Sequence, residues 1–544
     1  MKIFKFLFVT LLFLSENGVS QIQTDFLPSE FHKTRRAILR AKMPKNSVAV
    51  VFSNPIRNRA NDVNYVFHQD PNFYYLTGYR APNAVLVLFS ENYTDTKGIT
   101  YNEILYVQKR NVNAEMWNGK RLGGAGVISE LGFVVAANTE DFIKTDINFK
   151  SFDVVFVTKF KDDYGNSSAN KTALYDLVVH FKNVSGFHEI KSLSEDVNDV
   201  HQMIANIPDI HLMELSRKIN QDLPNFPGLK EDPFILDFAN AKSANVLKDF
   251  KQKMILKLNS KKNNNLNFSF LTSNLTTMRE VKTPEELKLL KMAIRISAIG
   301  QIEVMKAMQP HMSERQLQGI HEFVYKKYGA EYEGYPSIVG SGNNGCILHY
   351  VENNKTKVGD DLVLMDLGAE YRGFTADVTR TIPANGKFTN SQKEIYNLVY
   401  KAQEAGIALY TIGTNMRAPN EAAIKIINNG LFELGILSSV NEKHTYFPHG
   451  TSHHIGLDVH DPGNYNNFEE NMIVTMEPGI YIPEGSSCDE KYWGIAIRIE
   501  DDILVTKNGP VNLSSEAPRT IKEIEKMMAK KSVLDDFVLP DLNK

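Results

Sequence analysis

Four short segments of the sequence are the most informative about its fold: Leu364-Met-Asp-Leu-Gly-Ala-Glu-Tyr-Arg-Gly-Phe-Thr-Ala-Asp377, His449-Gly-Thr-Ser-His453, Met476-Glu-Pro-Gly479 and Ile497-Arg-Ile-Glu-Asp501. From these four segments a ligand set of four carboxylates and one imidazole can be drawn, each beside an apolar run typical of a strand or beside a Gly or Pro turn. Burying an ionised carboxylate without a partner is costly, so acidic residues inside such runs need a cation. A pair of metal ions would supply it.

The composition of this donor set indicates which ions it would hold. Carboxylates and a single His favour hard or borderline divalent ions, with Mn²⁺ ahead of a zinc site built from soft ligands. Five protein ligands around two ions that lie about 3.5–4 Å apart form the centre of two-metal hydrolases. The sequence therefore predicts a hydrolase with two divalent ions, most simply Mn²⁺, although the pattern leaves Co²⁺ and Zn²⁺ open. For any single acidic residue, an ordinary surface charge is the alternative.

The four segments resemble the metal-binding motifs of the pita-bread metallopeptidases, a family that includes methionine aminopeptidase, prolidase and aminopeptidase P. The match is best with aminopeptidase P (Xaa-Pro aminopeptidase), and it covers nearly the whole chain after residue 25. The resemblance implies an α/β (α+β) fold, in which a mixed-sheet domain like that of creatinase and prolidase precedes a pita-bread catalytic domain. It also implies five metal ligands, all present in this chain: Asp366, Asp377, His453, Glu477 and Glu500.

The same resemblance implies roles in catalysis. Glu477 would be the general base that takes a proton from a metal-bridging water. His460 would donate to the oxyanion that develops on the scissile carbonyl, and His349 and His449 would act beside it in the substrate pocket. In the implied reaction, the bridging hydroxide attacks the carbonyl of the first residue of a peptide whose second residue is proline.

Three further residues complete the implied substrate-binding set. Arg498 lies two residues before Glu500 and so shares its strand face, where it would keep that carboxylate ionised. Tyr481 would lie on the pocket side. Trp117, in Met116-Trp-Asn-Gly-Lys-Arg-Leu-Gly123, resembles a family loop whose Trp reaches the active site of a neighbouring subunit, which predicts a homo-oligomer, a dimer or a tetramer. A surface aromatic without substrate contact is the alternative.

At 544 residues the chain is too long for a single core, so we expect at least two domains. Residues 1–20 predict a secretory signal peptide, because Lys2 and Lys5 precede a short apolar core and Gly18-Val-Ser20 offers a small-residue cleavage site. We therefore expect an exported protein, periplasmic or secreted. No other stretch of the sequence is long and apolar enough to span a membrane.

Composition and capping signals predict the remaining boundaries. Thr283, Pro284 and Glu286 form the start of a helix with a capping box, and a polar, Asn-rich stretch precedes them. The predicted segments are an N-terminal domain over 21–257, a linker over 258–281, the catalytic domain over 282–510, and a C-terminal helix and tail over 511–544.

Within the N-terminal domain, apolar runs predict the strands of a mixed sheet with flanking helices. These runs cover residues 47–52, 73–78, 84–89, 104–107 and 153–157. They contain no convincing catalytic cluster, so the chemistry is expected from the catalytic domain.

Charge and cysteine content narrow the possible partners. The net charge is −3 at pH 7, which gives no indication of a nucleic-acid partner. Only two cysteines are present, Cys346 and Cys488, so a disulfide framework is excluded. Whether these two cysteines pair is left open, because the geometry of a bridge cannot be judged from sequence.

The predicted function is that of a dinuclear-metal Xaa-Pro aminopeptidase acting on peptides with penultimate proline. The nearest alternative is a prolidase, which restricts the same chemistry to dipeptides and differs in loops around the pocket. A methionine aminopeptidase fits less well, because such enzymes generally lack the large N-terminal domain. A metal-free pita-bread binding module, or a creatinase-like enzyme, is the alternative from another class, and the five retained ligands argue against it.

Overall fold

A computed structural model describes residues 25–161, 173–187, 195–260 and 265–536 of the chain. The chain divides into two compact units: an N-terminal unit, Pro28–Arg279, and a C-terminal unit that comprises Glu280–Lys544 and the residues before Pro28. The predicted signal peptide, residues 1–20, lies outside the described residues. Among the helices that are described, none has both the length and the apolar character needed to cross a membrane.

The N-terminal unit is built around one mixed β-sheet. Its strands are β1 Ser47–Phe52, β2 Asn58–Ala60, β3 Val63–Asn64, β4 Val85–Thr94, β5 Thr100–Val107, β6 Ala136–Asn138, β7 Val154–Val157 and β8 Leu266–Asn267. The sheet order is β6-β5-β4-β1-β7-β8, and β2 and β3 form a separate hairpin. Every residue of β1 is buried, as expected of a strand covered on both faces. Because β1 pairs antiparallel with β4 and parallel with β7, the predicted mixed sheet is confirmed.

Helices flank this sheet and also form a second core of their own. They are α1 Ser29–Lys42, α2 Pro71–Thr77, α3 Val112–Asn118, α4 Gly123–Leu131, α5 Thr139–Ile143, α6 Leu174–Ser185, α7 Glu195–Asn206, α8 Leu212–Asp222, α9 Pro233–Asn240, α10 Ala244–Ser260 and α11 Phe270–Glu280. The second core joins α7 to α10, with Ile204, Phe238 and Leu247 at its centre. The strand pattern of the sequence did not indicate this all-helical segment.

The prediction of a strand over residues 73–78 is wrong, because this run lies in α2 and its C-cap. The Asp70 side chain caps the helix by accepting a hydrogen bond from the Phe73 N–H at 3.0 Å. Pro71 occupies the first turn, and Gly78 ends the helix with a φ of 69°. The aromatic side chains of this run are buried, so tertiary packing and the caps override their preference for strands.

The prediction of a linker over residues 258–281 is also wrong where the structure describes it. Residues 261–264 lie outside the described ranges, but β8 pairs in parallel with β7 at the sheet edge and α11 follows. Asn265 donates to the carbonyls of Phe149 and Phe152 at 2.8 and 2.6 Å. The Asn-rich composition therefore serves side-chain bonds to the backbone, and the boundary between the units falls after Arg279.

The C-terminal unit combines short antiparallel strands with long covering helices. Its strands are β9 Tyr332–Glu333, β10 Ile338–Ser341, β11 Leu362–Asp366, β12 Ala369–Tyr371, β13 Phe374–Thr375, β14 Thr379–Pro383, β15 Ile473–Met476, β16 Gly479–Ile482, β17 Ile495–Arg498, β18 Asp501–Thr506 and β19 Gly509–Asn512. Its helices are α12 Pro284–Ala307, α13 Glu314–Lys327, α14 Asn390–Ile407, α15 Ala418–Glu433 and α16 Ile521–Met528. The sheets are β10-β11-β14, β13-β12-β9, β15-β18-β19 and β16-β17.

The two longest helices of the described residues pack against strands that lie next to the predicted ligands. α12 packs against β12 and β13, and α14 packs against β15, β16 and β17. The start of α12 is as predicted, with Thr283 as N-cap and Glu286 completing the capping box. The C-terminal helix predicted after residue 510 is confirmed as α16, which begins with a capping box at Thr520.

Candidate active site

The C-terminal unit contains a cavity of about 650 Å³. The cavity is lined by every predicted site residue except Tyr481 and Trp117, and by apolar side chains such as Ile338 and Leu348. The predicted residues among its lining are Asp366, Asp377, His453, Glu477 and Glu500, together with His349, His449, His460 and Arg498. The structure thus gathers residues that are more than a hundred positions apart in the sequence around one space.

The four predicted carboxylate ligands share one structural position, since each lies where one strand ends and the next begins. Asp366 is the last residue of β11, and Asp377 lies between β13 and β14. Glu477 lies between β15 and β16, and Glu500 lies between β17 and β18. Side chains alternate between the two faces within a strand, and an interruption of the strand frees the side chain there to turn into the cavity.

The imidazole of His453 reaches the same space because its segment runs beside β15. The Thr475 N–H donates to the His453 carbonyl at 2.9 Å, and the Glu477 N–H donates to the Thr451 carbonyl at 2.9 Å. The His453 N–H in turn donates to the Thr475 hydroxyl at 3.0 Å. This antiparallel alignment fixes His453 next to Glu477.

Carboxylates crowd around His453. Its Nε2 lies 3.4 Å from Asp377 Oδ2 and 3.5 Å from Glu477 Oε1, and ligand atoms of Asp377, His453 and Glu500 all lie within 4.8 Å of one another. Burial, and then the charge of neighbouring carboxylates, raises the pKa of Asp377 and of Glu500 well above the usual range. Such a concentration of buried acid needs cations. Carboxylates with one imidazole fit hard or borderline divalent ions.

Asp366 differs from the other carboxylates because it already has a cation. Its burial alone would raise its pKa, but the charge of Arg498 and hydrogen bonds from Tyr335 and Arg498 hold that pKa below the usual value. Arg498 Nη2 donates to Asp366 Oδ2 at 2.6 Å, and Arg498 Nε donates to the Thr379 hydroxyl at 3.3 Å. The Thr379 hydroxyl donates to Glu500 Oε2 at 2.5 Å. Arg498 therefore links two of the predicted ligands, one directly and one through Thr379.

Tyr335 is a site residue that the sequence reasoning missed. Its hydroxyl lies 2.6 Å from Asp366 Oδ1 and 2.6 Å from Asp377 Oδ1. Burial, together with the charges of Asp366 and Asp377, raises the pKa of Tyr335 well above its usual value, so the hydroxyl keeps its single hydrogen and can donate it to either of these two carboxylates. The sequence indicated this role only weakly, through a Tyr-Pro pair just before the strand β10. In the structure β10 pairs with β11, so that Ile338 lies opposite Asp366.

A hydrogen-bond chain runs from Arg498 to the cavity edge. Arg498 Nη1 donates to the Tyr481 hydroxyl at 2.8 Å, and that hydroxyl lies 2.8 Å from His449 Nε2. A guanidinium has donors only, so the Tyr481 hydroxyl accepts from Arg498 and donates its own hydrogen to His449. The His449 proton then lies on Nδ1, which donates to the Gly450 carbonyl at 2.7 Å. Burial lowers the pKa of His449 to about 4, in agreement with a neutral ring.

The two other predicted histidines, His349 and His460, also line the cavity. His460 stacks obliquely near His453, with 4.2 Å between ring centres. His349 lies in a segment held by Glu314, a fully buried carboxylate at the first position of α13. Glu314 Oε1 accepts from the N–H and hydroxyl of Ser341, each at 2.8 Å, and its Oε2 accepts from the Tyr350 hydroxyl at 2.9 Å. Both ends of the segment that carries His349 are thus tied to one side chain.

Trp117 and the cysteines take no part in this cluster. Trp117 lies on α3 of the N-terminal unit with 86% of its surface exposed, so its role at a neighbouring subunit stays a prediction. Cys346 and Cys488 are both free thiols, which answers the question that the sequence left open. Burial raises the pKa of Cys346 to about 12, so this thiol stays protonated.

Comparisons with known proteins agree with the geometry. Residues 288–507 match the model of metallopeptidase family M24, and residues 32–147 match the N-terminal domain of aminopeptidase P. The Xaa-Pro aminopeptidase of Haemophilus influenzae is 32% identical over 516 residues, which cover 92% of this chain and 98% of that protein.

Solved structures show the same similarity. Aminopeptidase P from E. coli with the inhibitor Pro-Leu is 30% identical, with a TM-score of 0.69, and the match covers 92% of this chain and 98% of that one. Proline aminopeptidase P II from Yersinia pestis is 29% identical, with a TM-score of 0.69, over 92% of this chain and 100% of that one. Both expected domains are therefore present in one chain, and membership of family M24 implies divalent metal ions. The chain belongs to the Xaa-Pro aminopeptidase (aminopeptidase P) family of M24 metallopeptidases and is a metallo-exopeptidase.

Proposed function

We propose that this chain is a dinuclear-metal aminopeptidase that releases the N-terminal residue from peptides with proline in the second position. The observation that carries the proposal is the crowding of Asp377, Glu477 and Glu500 around His453 in one cavity. Buried carboxylates at such distances repel one another unless cations lie between them.

The residues that would hold two divalent ions are the five that line the cavity with carboxylate or imidazole donors. Mn²⁺ is the ion that this donor set favours. When bound, the two ions would supply an activated water and polarise the scissile carbonyl. The donors are Asp366, Asp377, His453, Glu477 and Glu500.

We assign the proton transfers to Glu477. Its carboxylate lies in the cavity wall, with Oε1 3.5 Å from His453 Nε2 and Oε2 3.7 Å from His449 Nδ1. A carboxylate at this position can accept the proton of the attacking water and return it to the departing proline nitrogen. Without that proton the nitrogen would leave as an amide anion, which is a poor leaving group.

The histidines that line the cavity beside His453 would orient the substrate carbonyl. His460 lies beside His453 and is the proposed donor to the oxyanion. His449 carries its proton on Nδ1 through the chain from Arg498, so its ring is held in one tautomer and one orientation. His349 lines the same cavity and would contact the peptide near the scissile bond.

The preference for proline is supported by the relatives, because the Haemophilus influenzae protein is named as an Xaa-Pro aminopeptidase and the E. coli structure contains the inhibitor Pro-Leu. The apolar lining residues Ile338, Leu348 and Val351 offer a surface that suits an uncharged ring.

The test uses a matched pair of substrates, Xaa-Pro and Xaa-Pro-Yaa-Yaa, with protein stripped of metal and reloaded with Mn²⁺. We expect release of the first residue from the longer peptide, and no release before Mn²⁺ is added. A peptide with Ala in place of Pro is the control for proline preference. Cleavage of the dipeptide alone would make the enzyme a prolidase, and no metal-dependent cleavage of either would overturn the proposal.

Two further proposals rest on sequence alone. We propose that residues 1–20 are removed and the mature protein is exported, which the N-terminal sequence of the purified native protein tests. We also propose a homo-oligomer in which Trp117 contributes to a neighbouring site. Light scattering of the wild type and of Trp117→Ala measures the oligomeric state. Peptide hydrolysis by Trp117→Ala should fall only if the subunits share the site.

A further inference from the structure

Two buried glutamines occupy matching positions behind the predicted ligands. Gln301 lies on α12 and Gln403 lies on α14, and both are 0% exposed. Each helix covers the strands of its own half of the C-terminal unit. Neither side chain lines the cavity, so neither can contact a substrate there.

Gln301 joins the two carboxylates of the first half from behind. Its Nε2 donates to the Met365 carbonyl at 3.0 Å and to the Val378 carbonyl at 2.8 Å. Met365 immediately precedes Asp366, and Val378 immediately follows Asp377. One amide group therefore ties together the two peptide units next to both aspartates.

Gln403 makes the same connection in the second half. Its Nε2 donates to the Met476 carbonyl and to the Ile499 carbonyl, each at 3.1 Å. Met476 immediately precedes Glu477, and Ile499 immediately precedes Glu500. The same group also lies 2.9 Å from Asp501 Oδ2, so three acceptors share its two hydrogens.

The chemistry of the amide leaves only one orientation for each side chain. Backbone carbonyls can only accept hydrogen bonds, so the amide nitrogen must face them. Its two N–H groups suit two carbonyls, which a hydroxyl or a protonated carboxyl, with one hydrogen each, cannot match. The separation of the two carbonyls, and with it the spacing of the adjacent carboxylates, is then set by a single rigid planar group.

We propose that Gln301 and Gln403 are paired positioning residues, each of which fixes the spacing of the two carboxylates in its own half of the site. The inference rests on the proposed function to the extent that these carboxylates hold the ions. Groups behind the ligands of a metal orient them, and their loss commonly costs about 10–100-fold in metal affinity or activity.

The two glutamines differ in how firmly they are held. Gln403 Oε1 accepts from Arg519 Nη1 at 2.9 Å, whereas Gln301 Oε1 has no partner among the described residues. Removal of the Gln403 amide leaves Arg519 and Asp501 each without one contact, and removal of the Gln301 amide affects only the two carbonyls. We therefore expect the larger loss of thermal stability in the Gln403 variant.

The variants are Gln301→Met and Gln403→Met, which keep the length of the side chain and remove the amide. Gln69→Met is the matched control, because Gln69 Nε2 also joins two backbone carbonyls, those of Tyr79 and Ala81, at 3.0 Å each. These carbonyls lie in the N-terminal unit and next to no predicted ligand. If a Met variant fails to accumulate as folded protein, the corresponding Gln→Glu change, which offers at most one hydrogen, replaces it.

The first measurement is Mn²⁺ affinity by competition with a chelator. We expect at least about 10-fold weaker binding in Gln301→Met and Gln403→Met, and wild-type affinity in Gln69→Met despite some loss of stability. Unchanged Mn²⁺ affinity in both Gln301→Met and Gln403→Met would overturn the inference. Wild-type protein that binds Mn²⁺ but does not cleave Xaa-Pro-Yaa-Yaa would overturn the proposed function and leave this inference standing.

The second measurement needs no metal. Hydrogen exchange of the metal-free proteins should quicken around residues 365–378 in Gln301→Met and around residues 476–500 in Gln403→Met. A merely structural role would loosen both halves alike, because loss of stability raises exchange throughout the cooperative unit. Equal effects of the two variants on both halves, or no effect on either, would contradict the assignment even if the wild type bound no metal.

Discussion

The first half of the C-terminal unit, from α12 to β14, and the second half, from α14 to β19, place their carboxylates in the same way. In each half a long helix buries a glutamine behind two carboxylates that lie at interruptions between strands. The halves differ in the charges that accompany those carboxylates. The imidazole of His453 and the guanidinium of Arg498 both come from the second half, and Arg498 reaches across to Asp366 in the first.

The site is therefore shared between the halves. Of the two aspartates of the first half, Asp366 has its pKa held low by Arg498, whereas burial and the charge of Asp366 raise the pKa of Asp377 well above the usual range. The first half is therefore left with an acid that only a cation can stabilise in its ionised form. Apart from the loss of a predicted ligand itself, changes at the contacts between the halves should have larger effects than changes within either half.

The largest effect is expected from Asp377→Asn. Peptide hydrolysis should fall at least about 1,000-fold, because metal polarisation is worth several kcal/mol and about 1.4 kcal/mol corresponds to a tenfold change in rate. The metal-free variant should nevertheless melt at a higher temperature than the metal-free wild type, because a repelled carboxylate has been removed. Paired melting curves and rates test this, and a lower melting temperature would contradict the account of charge crowding.

A smaller but still large effect is expected from Arg498→Met, which breaks the contact between the halves. Asp366 would lose its cation and Tyr481 its donor, and we expect a loss of about 10–100-fold in activity or metal affinity. Arg372→Met is the matched control, because Arg372 is a buried arginine that pairs with Glu331 in the same unit and lines no part of the cavity. Equal loss of Mn²⁺ affinity in the two variants would mean that lost stability alone explains the result.

A moderate effect is expected from Glu314→Gln, which lies in the first half behind the segment of His349. The Tyr350 hydroxyl and the Ser341 N–H would compete for one remaining oxygen, and a misplaced pocket residue lowers the rate. We expect kcat to fall up to about tenfold, with Mn²⁺ affinity unchanged. Glu285→Gln, on the exposed first turn of α12, removes the same charge and should leave kcat at the wild-type value.

The smallest effect concerns pH. Because the pKa values of Asp377 and Glu500 are raised in the folded, metal-free protein, the folded state binds more protons than the unfolded state above the unfolded pKa. These two groups therefore destabilise the metal-free protein at neutral pH, and that cost disappears as the pH falls toward the unfolded pKa. Protons also compete with the ions for the same ligands.

Melting curves with and without Mn²⁺ measure this. The difference in melting temperature between the metal-loaded and metal-free proteins should narrow steadily from about pH 8 to about pH 5. The lower end of this range approaches the pKa values of ordinary carboxyl groups. A difference that stays constant over this range would show that the carboxylates are not the groups that bind the ions.

The fold was predictable in outline because its signals are local. The alternating and continuous apolar runs of β1, β4 and β5, and the capping box of α12, depend on neighbouring residues, and these elements appear where expected. The strand prediction for residues 73–78 failed because the aromatic residues of this run suit a strand. The residues that decide for a helix, Asp70, Pro71 and Gly78, lie at its ends. The linker prediction for residues 258–281 failed because a polar composition is as compatible with an edge strand and its side-chain hydrogen bonds as it is with a linker.

The site residues that belong to sequence motifs were predictable, whereas those that reach the site through strand pairing were not. The carboxylates of the four motifs, with His453, do line one cavity, and their roles as ligands stay predictions. Tyr335 escaped because its place beside Asp366 depends on the pairing of β10 with β11. Gln301 and Gln403 were not predicted, because the sequence does not indicate which carbonyls a glutamine on a helix will contact.

Whether bound ions are required for hydrolysis is tested most directly by titrating metal-free protein with Mn²⁺ while the release of the first residue from Xaa-Pro-Yaa-Yaa is followed. We expect no hydrolysis at the start, full hydrolysis at saturation, and two ions bound per chain when metal content is measured in the same samples. Hydrolysis that persists in the metal-free protein, or full activity with no bound ion, would contradict this expectation.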